Sequence, residues 1–214
     1  MSIAEKLQTI AENEQRVYDA GKKAEYDAFW DAYQQNGTRI YYPYAFAYSW
    51  NDAIYKPKYD ITTTQNVGLQ YLFAYSTVTD TIVTIDASKA TTSQHIFDSN
   101  RRLRTIRKLI VSENNTFNTW FRYCEDLENL TIEGAIAQNG FDLQWSTKLN
   151  KASITSIINA LSTTTSGLTV TLSKTAVNKA FETTEGANDG ESSPEWDVLG
   201  GENREKKNWT ISLV

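Results

Sequence analysis

Residues 97–111, FDSNRRLRTIRKLIV, and residues 121–134, FRYCEDLENLTIEG, decide how this chain is read. Aligned on their first residue, they share the frame F-x-x-(N/C)-x-x-L-x-x-(I/L), carried by Phe97, Asn100, Leu103 and Ile106, then by Phe121, Cys124, Leu127 and Leu130. A β-prone segment follows each frame. The anchors are 24 residues apart, and the same step backwards reaches Phe73 while the step forwards reaches Trp145. A looser pair lies upstream, where Phe46-Ala47-Tyr48-Ser49 is repeated as Phe73-Ala74-Tyr75-Ser76 at an offset of 27. There Ser49 and Ser76 take the small polar position, and Ile54 and Ile82 approximate the later apolar ones.

A period in the low twenties with fixed apolar positions is the pattern of a leucine-rich-repeat solenoid, whose coils must stack to share one core. The Asn/Cys/Ser position turns the chain inward, so Cys124 is expected to be a core residue that behaves as a small hydrophobe. The aromatic content, with 12 tyrosines and 6 tryptophans, agrees with a β-rich body.

On either side of this body the pattern changes. Residues 2 to about 34 read as one helix, opened by a Ser2–Glu5 capping box and stopped at Asn36-Gly37. Its apolar residues Ile3, Leu7, Ile10, Val17, Ala24 and Ala28 recur in alternating steps of four and three, interrupted by Glu14 and Gly21. A stripe only one residue wide fits a coiled-coil seam better than a helix lying on its own domain through Phe29, Trp30 and Tyr33. Downstream, residues 150–163 read as a helix with Ile154, Ile157, Ile158 and Leu161 inward, and residues from Gly167 read as a strand. A second helix runs from a Ser173 cap to Gly186, a short one follows Pro194 around Trp196, Val198 and Leu199, and a final strand closes the chain. The fold class expected is α+β. It comprises an N-terminal coiled-coil helix (1–37), a short leucine-rich-repeat solenoid (38–161) and an αβαβ C-terminal cap (162–214) whose outer face is polar, as a solenoid end requires.

The frame Phe121-x-x-Cys124-x-x-Leu127 with its 24-residue period resembles the BspA-type leucine-rich repeats of gut Firmicutes and Bacteroidetes. The layout, with a stretch such as IAENEQRVYDAGKKAEYDAFWDAYQQNG ahead of a short repeat body, is similar to repeat proteins of Clostridia-type genomes and their prophages. The resemblance covers residues 44–161 for the repeats and 1–37 for the helix. It implies a phage tail fibre or receptor-binding protein, with a bacterial adhesion or interaction module as the alternative.

Chemistry is harder to find. His95 is the sole histidine and Cys124 the sole cysteine, so no intrachain disulfide forms. The P-loop, dinucleotide, nucleophile-elbow and zinc-protease motifs are absent. Two carboxylate clusters, Glu125-Asp126 with Glu128 and Glu191 with Glu195 and Asp197, invite a glycosidase reading, but both fall in polar, turn-like stretches suited to solvated charge. NDGESSPEWD lacks the ligand spacing of a calcium loop. A carbohydrate-active enzyme is therefore the weaker class, and no enzyme activity, cofactor or metal is expected.

The net charge of −5 disfavours nucleic acid as a partner. The basic run Arg101, Arg102, Arg104, Arg107 and Lys108 is read as a solvated edge. No secretion signal or membrane span is legible, which implies synthesis in a bacterial cytoplasm and incorporation into a virion. Expected partners are the chain itself, a trimer among the open arrangements, other virion proteins, and a host surface protein or glycan. Tyr41, Tyr42, Tyr44, Tyr48, Tyr55, Tyr59 and Tyr75 are the candidate binding residues, since tyrosine supplies rigid amphipathic contact area.

Overall fold

The computed structural model describes residues 3–36, 47, 60–62, 67–76, 80–200 and 205–214. It has a mixed α/β architecture with small, mainly parallel sheets. Helix α1 (Ile3–Asn36) covers 34 residues, about 50 Å of rod. Side-chain pairs one turn apart line it, among them Gln8–Glu12, Gln15–Asp19, Lys22–Glu25 and Lys23–Asp27 at 2.7–2.9 Å. Such pairs each steady a helix by about 0.2–0.5 kcal/mol. Of the expected seam, Ile3 is 79% exposed, Ile10 54% and Val17 70%, and Ala24 and Ala28 are also exposed. Ser2 and the side chains of Leu7, Phe29, Trp30 and Tyr33 lie outside the described residues.

The body is organised by the 24-residue interval. Strands β1 (Ile61–Thr62), β3 (Asp80–Asp86), β5 (Thr105–Val111) and β6 (Asn129–Gly134) form one sheet in the order β1-β3-β5-β6. Every pair in it is parallel, with Ile61 opposite Ile85, Ile85 opposite Leu109, and Ile106 opposite Leu130. Beside this sheet, β2 (Val67–Gly68) pairs in parallel with β4 (Ala90–Thr92). A register irregularity recurs between Thr81 and Thr84 and between Ile106 and Leu109. It explains why Ile106 and Leu109, three residues apart in one strand, are both fully buried. A regular strand would turn every second side chain inward; the irregularity rotates the next apolar residue back to the core. Gly134 ends β6 with φ +99°, where any Cβ would collide with the Val111 carbonyl.

The phenylalanine anchors stack. Phe73 and Phe97 lie 5.8 Å apart with rings 1° from parallel, and Phe97 and Phe121 lie 5.5 Å apart at 13°. The small polar position forms a second buried column, in which Asn100 Nδ2 donates to Ser76 Oγ (3.4 Å) and Cys124 Sγ to the Phe97 carbonyl (3.2 Å). The side chain of Ile82, and Phe46, Ser49 and Ile54 entirely, lie outside the described residues.

The column's next member differs from expectation. Phe141, not Trp145, packs on Phe121, at 5.3 Å, while Trp145 is 41% exposed. The cause is a change of sheet. After Gly134 the chain leaves the 24-residue register, and β7 (Asp142–Leu143) pairs with β8 (Leu168–Leu172) instead of continuing the first sheet.

Helix α2 (Lys151–Ala160) covers the edge left open at β6. Asn150 caps its start by accepting from the Ser153 amide. The Leu130 and Ile132 amides donate to the hydroxyls of Ser153 and Ser156, both at 2.8 Å. Two serines thus satisfy donors that would otherwise invite another strand. The C-terminal sheet has the order β7-β8-β10-β9, with β9 (Glu205–Lys206) antiparallel to β10 (Trp209–Leu213) and the other pairs parallel. Helices α3 (Lys174–Phe181), capped by Ser173, and α4 (Pro194–Gly200) connect β8 towards this hairpin. In the hairpin turn, Lys207 Nζ reaches back to the Asn159 and Leu161 carbonyls at the end of α2.

Two helix ends correct the sequence reading: α2 stops at Ala160 and α3 at Phe181, rather than at Thr163 and Gly186. In the helix read around Trp196, Val198 and Leu199, Val198 is 75% exposed, while Trp196 is buried and packs on Phe181 at 5.3 Å.

Truncating the middle ring, Phe97→Ala, should cost about 3–5 kcal/mol, while Trp145→Ala should change stability by no more than about 0.5 kcal/mol. Urea unfolding followed by circular dichroism distinguishes the two, and equal losses would contradict the packing described.

Candidate binding surface

Three turns, residues 69–76, 93–100 and 117–124, carry the anchor phenylalanines and expose one face. Their backbone amides serve two purposes in alternation. Those of Tyr71, Phe73 and Tyr75 donate to the carbonyls of Gln94, Ile96 and Asp98 in the next turn, and those of His95, Phe97 and Ser99 donate to Asn118, Trp120 and Arg122. The intervening amides of Leu72, Ala74 and Ser76 fold back within their own turn. Holding this geometry requires left-handed backbone at Tyr71, His95 and Thr119 (φ 53–58°), and again at Tyr75, Ser99 and Tyr123 (φ 55–60°). Non-glycine residues pay roughly 1–2 kcal/mol for that conformation, so the stacked core and the amide ladder offset a recurring local strain.

The side chains at these positions form outward-facing columns. His95 lies flat against Tyr71, with ring centres 4.5 Å apart and planes 7° from parallel. Its Nδ1 is 3.0 Å from Asp98 Oδ2, and Thr119 Oγ1 contacts the same nitrogen. Asp98 is fully buried, and a buried carboxylate is stable only when well paired. Arg122 supplies the partner, donating from Nε to Oδ1 at 2.9 Å and from Nη2 to Oδ2 at 2.5 Å, and Ser99 Oγ adds a bond to Oδ1. The hydrogen bonds that Arg122 donates to Asp98 raise its pKa above the ordinary value, so this guanidinium is permanently charged. Arg122 and Arg101 flank the Tyr123 ring at 5.7 and 5.5 Å, and Trp145 packs on the same ring at 4.8 Å.

Beside this column Asn118, Thr119, Arg122, Gly140, Asp142, Gln144 and Trp145 line a cleft of about 180 Å³. Asp142 is fixed by Gln144, whose backbone amide donates to Oδ1 (2.9 Å) and whose Nε2 donates to Oδ2 (2.7 Å). The surface therefore offers rigid aromatic faces bordered by charged and amide groups, an arrangement suited to recognition.

Of the tyrosines expected to bind, Tyr75 is described and stands half-exposed in the left-handed column. Tyr41, Tyr42, Tyr44, Tyr48, Tyr55 and Tyr59 lie outside the described residues. Tyr123, Asp98 and Arg122 are not marked by the sequence reading, and Trp145 is marked there only as a core anchor. The signal was present in the 24-residue spacing of Tyr71, His95 and Thr119, of Tyr75, Ser99 and Tyr123, and of Asp98 and Arg122.

The residues considered for catalysis are engaged elsewhere. Cys124 is fully buried, and burial pushes its thiol pKa far up. In the carboxylate clusters Glu125 pairs with Arg101 (3.4 Å), Asp126 with Lys148 (2.5 Å), Glu191 with Lys174 (2.7 Å) and Glu195 with Lys151 (2.5 Å). In the basic run Lys108 pairs with Glu133, while Arg102, Arg104 and Arg107 are exposed. Among the described residues no group of three His, Cys, Asp or Glu side chains is placed to hold a metal ion, and no helix is long and apolar enough to cross a membrane. No protein-family model, curated protein or solved structure matches the chain.

The buried thiol gives a pH test. An exposed cysteine ionises near about pH 8.5, whereas Cys124 keeps its proton in the folded chain to much higher pH. Above that point the unfolded state alone releases the proton, so stability falls as pH rises. The wild-type chain should therefore lose up to about 1.4 kcal/mol per pH unit more than Cys124→Ala does. Parallel urea titrations between neutral and alkaline pH read the difference, and identical slopes would place the thiol in solvent.

Proposed function

We propose that this chain is a non-enzymatic binding protein that oligomerises through α1 and displays a short leucine-rich-repeat solenoid to a ligand. The observation that carries this reading is the exposed seven-residue recurrence of Ile3, Ile10 and Val17 along a 34-residue helix. A helix gains little stability from propensity alone and normally depends on packing its apolar stripe. Pairing the stripe with copies of itself supplies that packing and follows the coiled-coil spacing. Glu14 and Gly21, which interrupt the seam, weaken it and bias the choice of partner and register.

For the body, the solenoid reading is supported by the parallel 24-residue register, the stacked rings of Phe73, Phe97 and Phe121, and the helix α2 lying over the last strand. The BspA-like frame at Phe121, Cys124 and Leu127 favours the same reading. In its most concrete form the protein is a virion component, a phage or prophage tail fibre or receptor-binding tip. That assignment rests on the resemblance of the helix and repeats to prophage-encoded proteins of Clostridia-type genomes. Oligomerisation would repeat the surface around Tyr75, Tyr123 and Trp145 on each copy, and weak single contacts then add through effective concentration.

The test is the mass of the full chain in solution by light scattering. The expected value is a multiple of the single-chain mass, falling to a single chain when Ile10→Asp and Val17→Asp place charges in the seam. Both residues are exposed in the single chain, so the substitutions leave the body intact. A wild-type chain that is monomeric at tens of micromolar would remove the fibre reading.

A further inference from the structure

The cleft beside Tyr123 has a chemistry more specific than a general contact surface. Where tryptophan side chains are described, Trp120, Trp196 and Trp209 are 1% exposed, whereas Trp145 is 41% exposed. The exposed ring is held in place rather than loose, since it packs on Tyr123, whose own ring is braced by Arg101 and Arg122. A fixed aromatic face at the edge of a polar cleft suits a ligand with one apolar face and a rim of hydroxyl groups.

The polar lining narrows the class. Arg122 is committed to the buried Asp98 through Nε and Nη2, so its charge is largely answered within the protein. Asp142 is oriented by two donors from Gln144, and its oxygens retain lone pairs that can accept from hydroxyls. A carboxylate in the wall with no cation among the groups that bond it disfavours an anionic ligand. Asn118, Thr119 and Gln144 each provide both donor and acceptor atoms, which a vicinal pair of hydroxyls uses together. The volume, about 180 Å³, lies below the roughly 300 Å³ at which drug-sized sites begin, so the cleft suits a single small ring.

The walls are also preorganised. Asp142 belongs to β7, whose pairing with Thr171 of β8 is part of the C-terminal sheet. Thr119 is locked at φ 53° by the amide ladder of the turns. A weak polar ligand needs such a prepared site, because little binding energy is left to order the groups that hold it.

We propose that the cleft formed by Asn118, Thr119, Arg122, Asp142, Gln144 and Trp145 is a subsite for one neutral pyranose unit of an oligosaccharide, the ring stacking on Trp145 while Asp142 and Gln144 hold adjacent hydroxyls. This inference names the ligand of the binding surface and rests on that reading. Because the cleft lies between the last of the three turns and the C-terminal sheet, each chain carries it once, and an oligomer presents several copies in parallel.

The experiment titrates the full-length protein with maltotriose, cellotriose, mannotriose and chitotriose by isotope-edited NMR. The expected result is saturable binding of at least one of them with a dissociation constant on the order of 1 mM. Trp145→Ala should then weaken binding at least about tenfold and Gln144→Ala by about threefold or more, both with an unchanged unfolding midpoint. Absence of binding to every trisaccharide at about 10 mM, or equal binding by wild type and Trp145→Ala, overturns the proposal. Either outcome leaves the oligomeric mass unaffected, so the loss of this ligand is separable from the loss of the oligomeric scaffold.

Discussion

The amides of the first two turns find partners one turn further along, and much of the body follows from that requirement. A turn lined by buried phenylalanine cannot leave its backbone donors unpaired. Alternate amides therefore reach forward from Tyr71, Phe73 and Tyr75 to the next turn, and from His95, Phe97 and Ser99 to the one after. Once these bonds set the interval, the side chains are constrained in turn. The anchor ring must sit above another ring, the position three residues later must be small and able to hydrogen-bond, and two backbone positions must be left-handed. The strands on the opposite side inherit the same interval and pair in parallel.

This explains which parts of the fold were legible in the sequence. Phe97, Asn100, Leu103 and Ile106 repeat as Phe121, Cys124, Leu127 and Leu130 because identical surroundings recur in space. A periodic environment leaves a periodic sequence, and α1 was equally readable from its own spacing. Trp145 failed because periodicity records the interval but not where it stops. The termination depends on β7 pairing with β8, a contact between residues far apart in the chain. The serines that close the β6 edge were illegible for a similar reason: Ser153 and Ser156 look like ordinary polar positions of a helix until the amides of Leu130 and Ile132 are placed beneath them.

The candidate binding surface is the least readable feature. Its members come from separate turns and become neighbours only through stacking: Tyr71 with His95, Asp98 with Arg122, Tyr123 with Trp145. Composition pointed to the tyrosine-rich stretch beginning at Tyr41 because density along the chain is easy to see. Density across the chain is not, although the 24-residue interval, applied to the polar positions as well as the apolar ones, brings most of these residues together. Asp98 shows what such a surface costs. A fully buried carboxylate is tolerable only because Arg122, one interval later, reaches over it with two bonds, so the polar face and the core depend on the same register.

The uniform interval also bears on how such a chain can change in length. The turn at residues 69–76 bonds to the one at 93–100, and that turn to the one at 117–124, through amides at equivalent positions. A duplicated unit, produced by in-frame recombination between the similar stretches at residues 97–111 and 121–134, would meet familiar neighbours on both sides. The C-terminal segment, which closes the final edge through α2, would simply be carried one step outward. The terminating helix thus separates the stacking of turns from the closure of their final edge.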